Sequence, residues 1–367
     1  MSKVVYLMGA GASRGIRGRD GNGKEDPSYI VEGIPIVKEI PKRLEKITSV
    51  FSNLNFDDGM KYERTGVEVD LGSAKRNLID GFHWLARHTE RMTIDTFAKT
   101  LFLTEQKEDY IKLKRLLSIF LMTEQLINKP DSRYEIFLAS VLQRKDSGEL
   151  RITDDISILT WNYDSQFEIA YKPFLSAGYN PEDLAFPEFV GIDIHNRYVK
   201  SQLRQDDGKR QIFKLNGSAS FASDYSMGHY HSYHNGNLMD DVAKVLLWTY
   251  DASYYHNGEK RYCLLNFAWD KENDEFERQY QLRLHNAIKD ATALVIIGYT
   301  FPFFNRETDT MLIKGMPNLQ NVYIQDPFAK NVKQSFVPVM QKAGLNIGEN
   351  NIHLFDDVTQ FLLPPEL

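Results

Sequence analysis

The stretch Lys3-Val4-Val5-Tyr6-Leu7-Met8-Gly9-Ala10-Gly11-Ala12-Ser13 decides how the rest of the chain is read. A short apolar, β-prone run breaks into Gly-x-Gly-x-Ser, as a buried parallel strand does when it turns sharply at its carboxyl end. Glycine takes positive φ and carries no Cβ, so such a turn can press its N–H groups against a phosphate at the positive end of a helix. A nucleotide is therefore the leading ligand. Gly9, Gly11 and Gly15 are spaced more loosely than the dinucleotide fingerprint, and a glycine turn after a first strand also occurs as a plain structural feature.

Working outward, Arg14-Gly15-Ile16-Arg17-Gly18-Arg19-Asp20-Gly21-Asn22-Gly23-Lys24 is too rich in glycine and charge for a helix. It reads as a mobile loop, either a solvated connector or a lid whose arginines close over an anion. From Val37 to about Phe51, apolar residues at Ile40, Leu44, Ile47 and Val50 or Phe51 predict an amphipathic helix with Pro41 near its start. Residues 73–145 read as a helical insertion, with Leu78, Phe82 and Leu85, and then Ile111 to Leu126, at helical spacing. Its last helix runs over Arg133–Leu142 and leads back to the sheet.

Beyond it, one grammar recurs: an apolar strand ending in small or polar residues. Ile156–Thr160 leads into Trp161-Asn162-Tyr163-Asp164, Gln211–Leu215 into Asn216-Gly217-Ser218, and Ala293–Ile297 into Gly298-Tyr299-Thr300. Asn321–Ile324 leads into Gln325-Asp326-Pro327. Ligands of open α/β sheets lie at the carboxyl ends of strands, which makes Asn162 and Asp164 candidate site residues. The alternative for Asp164 is the N-cap of a helix starting near Ser165. Asp326 is either a ribose ligand or a turn former before proline.

At 367 residues, 42% hydrophobic and 26% charged, the chain has the composition of a globular protein able to bury a sizeable core. Its longest apolar run, Ala293–Ile297, is far short of the roughly 20 residues of a membrane span, and a cytoplasmic location is expected. The single cysteine, Cys263, excludes an internal disulfide and a Cys-x-x-Cys zinc site. A net charge of -6 gives no global footprint for nucleic acid. His83 and His88 miss the i, i+4 spacing of a helical metal pair, and His229, His231 and His234 lack an accompanying carboxylate or cysteine pattern. No metal is expected.

Taken together, Gly9-Ala10-Gly11-Ala12-Ser13, Thr160-Trp161-Asn162-Tyr163-Asp164, Lys214-Leu215-Asn216-Gly217-Ser218 and Ile297-Gly298-Tyr299-Thr300-Phe301 resemble the sirtuin-like domains of bacterial antiphage defence proteins. The resemblance implies an α/β fold: a Rossmann-like, mostly parallel sheet over 1–72 and 146–367, with the helical module at 73–145. It implies NAD as substrate, cleaved to ADP-ribose and nicotinamide. Gly9, Ala10, Gly11, Ser13, Arg14, Thr160, Gly217, Ser218, Gly298, Tyr299, Thr300 and Asp326 would hold the dinucleotide. Asn162, Asp164 and Asn216 would carry the chemistry: Asn162 orienting the ribose or water, Asp164 supporting developing positive charge or holding that asparagine, and residue 216 helping to activate the nucleophile. It further implies a homo-oligomer controlled by a HerA-type hexameric ATPase, with short Argonaute-type proteins a lesser option, and nucleic acid met only through the complex.

Two departures qualify it. One cysteine cannot supply the zinc site of sirtuin deacylases, which argues against deacylation. Asn216 stands where active relatives carry a catalytic histidine in Leu-His-Gly, and asparagine is no base near neutral pH. It is either native or a replacement that traps the cofactor, and His195 or His229 substitutes only if the fold brings it in. The competing function is thus an assembly subunit that binds NAD or ADP-ribose without turnover. A nuclease role ranks last, because the sequence shows no carboxylate cluster of that kind.

Overall fold

The computed structural model describes residues 3–64, 66–144, 146, 150–174, 194–196, 212–221, 238, 240–253, 263–270 and 275–367. Val4, Tyr6 and Met8 pack into one core and Val5 and Leu7 into another, so the first strand has no polar face. Such a strand belongs inside a sheet covered on both sides. It is the central strand of a seven-stranded sheet. In chain order the strands are β1 (Lys3–Met8), β2 (Ile156–Thr160), β3 (Ile194–Asn196), β4 (Ile212–Lys214), β5 (Ala291–Ile297), β6 (Asn321–Gln325) and β7 (Ile352–Phe355). They lie in the order β7-β6-β5-β1-β2-β4-β3, and every neighbouring pair is parallel. The protein is α/β with a Rossmann-like sheet, as its sequence predicts; β3 and β7 are strands that the reading of the sequence omits.

The chain lays down β2, β4 and β3 on one side of β1, then crosses back to place β5, β6 and β7 on the other. The strand order reverses at β1, and the crevice outside the carboxyl ends at such a reversal is where these sheets take ligands. Register sharpens the point. Met8 pairs with Thr160 and with Ile297, Lys214 with Thr160, and Gln325 with Ile297. These five residues form one row across the sheet, and the predicted motifs all start within two residues of it.

The helices divide between two packing units. α1 (Ile40–Ser52), α2 (Leu71–Thr89), α3 (Ile94–Leu103) and α4 (Lys107–Ile127) share one core with α7 (Asp240–Ala252). α4 is buried almost all round from Leu113 onward. A fully buried ion pair, Arg43 to Glu124 at 2.7 Å, ties it to α1. α5 (Ser132–Val141) and α6 (Gln166–Tyr171) cover the Val4, Tyr6 and Met8 face of the sheet. α8 (Glu275–Ile288), α9 (Arg306–Lys314) and α10 (Ala329–Lys342) cover the other. Packing therefore divides the chain differently from the sequence boundaries of 73–145. α1 precedes that range yet joins the helical core, α5 falls inside it yet joins the sheet, and α7 enters the helical core from far downstream.

The predicted mobile loop at 14–24 is instead part of an antiparallel hairpin, Arg17–Arg19 with Glu25–Ile30. Arg17 explains the order: its guanidinium is buried, pairs with Glu39 at 2.7 Å and donates to the Ile34 carbonyl. Between β1 and α1 the chain makes a four-residue 3-10 turn, Ala10–Ser13, and then the hairpin. Among the described residues no helix is long and apolar enough to cross a membrane.

Candidate functional site

On the β1 side the crevice is built by close approach of main chains. Gly11 N donates to Gly298 O at 2.9 Å, and Gly9 N to Ile297 O at 3.0 Å. A Cβ on Gly9 would stand 2.7 Å from Gly298 O, and one on Gly11 2.7 Å from Gly298 Cα. Gly298 adopts φ +57°, and a Cβ there would meet Ala12 N at 2.4 Å. The three glycines are thus required by one backbone interlock between the ends of β1 and β5. Ala12 N is spent on Gly9 O, and Arg14 N on Gly11 O. The face of the turn left open is its rim, where Ala10 and Thr300 are exposed and Gly11 and Arg14 half-buried. Arg14 pairs with Glu25 at 2.6 Å and lies 3.5 Å from Glu39.

The floor of the turn is held from α5 and β2. Ser13, fully buried, shares a 2.7 Å hydrogen bond with the Tyr134 hydroxyl. Arg133 donates to Ala12 O. Asn162 Nδ2 donates to both Gly9 O and Ser13 Oγ at 2.9 Å. The structure thus brings Asn162 and the glycine turn together. Asn162 fixes the turn with its amide nitrogen. Thr160 braces it by accepting from Asn162 N at 3.1 Å.

The β2/β4 side is different in kind. Asp164 Oδ1 accepts from Gln166 N at 3.1 Å, the capping bond that opens α6, while Oδ2 is buried with no hydrogen-bond partner among the described residues. Burial raises this carboxyl above its usual range, with Lys214 and the Ser13 hydroxyl opposing. Lys214 is itself buried: its Nζ donates to Asp164 O at 2.5 Å and pairs with Glu168 at 2.6 Å. Asn216 follows in a turn where Gly217 takes φ +73°. Its Nδ2 donates to the Tyr163 hydroxyl over 3.4 Å, and its Oδ1 is buried without a partner among the described residues. Ser218 is buried against Ser220. Asn266 N, on the short strand Cys263–Leu265 and the turn after it, donates to Asn216 O at 2.9 Å.

The β5 side contributes Tyr299, stacked on Trp161 with ring centroids 5.9 Å apart. Its hydroxyl is 2.8 and 2.9 Å from the two Asp309 oxygens. Asp326 lies one strand further out and accepts from Phe328 N at 2.8 Å, the turn-forming role of the two read from sequence.

Lys214, Glu168, Tyr134 and Asp309 are site-supporting residues that sequence reasoning missed. A lysine inside the apolar run Ile212-Phe213-Lys214-Leu215 and a glutamate within Phe167-Glu168-Ile169-Ala170 were the available signals. His88 packs in the helical unit, its Nδ1 donating to the Trp84 carbonyl at 2.8 Å and its ring stacking on Phe97. His229, His231 and His234 lie outside the described residues, and His195 lies on β3, pairing in register with Phe213. No family model and no curated protein matches the chain.

Proposed function

We propose that the carboxyl edge of the sheet binds NAD as a substrate, in a site organised for cleavage of the nicotinamide–ribosyl bond. The observation that carries this reading is the single register row. Four motifs separated by up to about 290 residues of sequence emerge side by side at the strand-order reversal. At that edge the buried Asn216 Oδ1 has no partner among the described residues, and Asn162 bonds the turn only through its Nδ2 among them; the hydroxyls of a ribose are donors that would satisfy both amide oxygens. The exposed turn at Ala10 and Thr300 leaves room for the phosphates, with the Arg14 guanidinium beside it.

Breaking the bond develops oxocarbenium character while the leaving group departs with its positive charge neutralised, so little acid catalysis is required. Asn162 orients the sugar, and Asp164 supplies negative charge or negative dipole beneath it. Residue 216 is where a base would act, and asparagine cannot perform that task. This favours a second reading, in which the chain holds NAD or ADP-ribose as an assembly subunit without turnover. The resemblance to antiphage defence proteins supports the biological role and a HerA-type ATPase partner.

The test is NAD consumption by the chain as given and by Asn216→His, each alone and with the candidate ATPase. Consumption by the histidine form alone supports a hydrolase site disabled at 216. Binding without consumption by either form supports the assembly subunit. Absence of NAD binding overturns both.

A further inference from the structure

Directly behind the glycine turn sits a carboxyl group that the proposed chemistry does not use. Asp309, in the first turns of α9, has no exposed surface. Both of its oxygens face the Tyr299 hydroxyl, at 2.8 and 2.9 Å, and Asn305 Nδ2 donates to the same hydroxyl at 3.1 Å. The Tyr299 ring leans on the turn: its Cδ2 lies 2.7 Å from the point where a Cβ on Gly9 would stand. The preceding carbonyl, Gly298 O, holds Gly11 N. One tyrosine therefore connects a buried acid to the backbone that faces the ligand.

We propose that Asp309 is a positioning residue that sets the Gly9–Ala12 turn through Tyr299, and that its neutral form is the one compatible with a bound dinucleotide. The inference rests on the nucleotide reading above and deepens it.

The charges around the pair decide the sign. Burial pushes the Asp309 carboxyl up to about 8, against the pull of Tyr299, Trp161 and Arg306. Arg306 is exposed and stacks over Phe303, so it compensates little. Asp95 of α3 faces Tyr299 from the helical unit. Its own carboxyl is raised to about 6 by burial, so it is already ionised before Asp309 titrates. Tyr299 is held well above its ordinary range and stays protonated throughout. Ionising Asp309 therefore adds a buried anion behind a turn that receives a pyrophosphate, and like charges in a low-dielectric setting repel strongly. Binding of the anion must then favour the protonated acid, so it takes up a proton as the pH approaches 8.

Titration calorimetry with ADP-ribose, which has no nicotinamide bond to lose, tests this between pH 7 and pH 9 in two buffers of different ionisation heat. The expected result is about tenfold weaker binding at pH 9 than at pH 7, with proton uptake on binding near pH 8. Asp309→Asn keeps a hydrogen-bonding group and removes the titration, so its affinity is flat over the same range. Tyr299→Phe removes the hydroxyl that lowers the Asp309 carboxyl, so it binds more weakly at pH 7 and its pH dependence moves to higher pH. Either variant suffices if the other does not fold. Equal pH slopes in the native chain and the folded variants overturn the inference and leave the nucleotide reading intact. No binding of ADP-ribose at any pH overturns both.

Discussion

The two flanks of the candidate site solve the same packing problem by opposite means. Where β1 meets β5, Gly9, Gly11 and Gly298 let main chain lie on main chain. Where β2 meets β4, the volume is filled by buried polar and charged groups: Asn162, Asp164, Lys214 with Glu168, and Asn216. The first flank is steric. The second is electrostatic, and each member depends on its partners, because a buried charge is tolerated only when paired. A backbone interlock fixes a shape, whereas a buried polar cluster with unspent acceptors leaves something for a ligand to complete.

The sharpest way to break the steric flank is Gly298→Ala. It places a Cβ 2.4 Å from Ala12 N at a left-handed φ, and a cost of about 3 kcal/mol or more is expected in urea unfolding, up to loss of the folded state. A tolerated alanine there would mean the two turns do not interlock.

The electrostatic flank is tested by Lys214→Met, which strands Glu168 beside an already burdened Asp164. About 3 kcal/mol of destabilisation is expected. Adding Glu168→Leu removes the stranded charge, and the double variant should recover most of the loss. If it recovers nothing, the lysine acts through its bond to the Asp164 carbonyl rather than through the pair.

Asp309 separates the flanks by pH. Its carboxyl holds a proton up to about pH 8 in the native chain, whereas the unfolded chain releases it near pH 4. The native state therefore binds more protons across that window, and this group's contribution to stability falls as pH rises from about 4 to about 8. Asp309→Asn should raise the Tm relative to the parent at pH 8 and change it least near pH 4. The opposite order would show the acid to be ionised in the fold.

The smallest effect is expected in the arginine hairpin. Arg19 is exposed and Arg17 is buried on Glu39, so Arg19→Ala should change stability by no more than about 0.5 kcal/mol. NAD affinity measured on the same variant then asks whether Arg19, which makes no close ion pair among the described residues and lies across the hairpin from Glu25, reaches the ligand.

How far the sequence could be read follows the same division. The glycine flank was legible, because only glycine permits such close approach and its spacing is visible in a linear string. Arg17 and Lys214 were misread or passed over for one reason: a charged residue looks solvated until the fold supplies a buried partner, here Glu39 and Glu168 from distant segments. Asp309 was visible only as one of several polar residues heading a helix.

By itself the sequence determined the parallel α/β sheet, since runs such as Val4–Met8 and Ala293–Ile297 have no polar face and can only be buried on both sides. It also marked the strand ends that form the candidate site. Strand order, the common register row, the sharing of helices between two cores and the pairing of buried charges were decided by tertiary structure alone. These depend on which distant segments meet, and local periodicity carries no information about that.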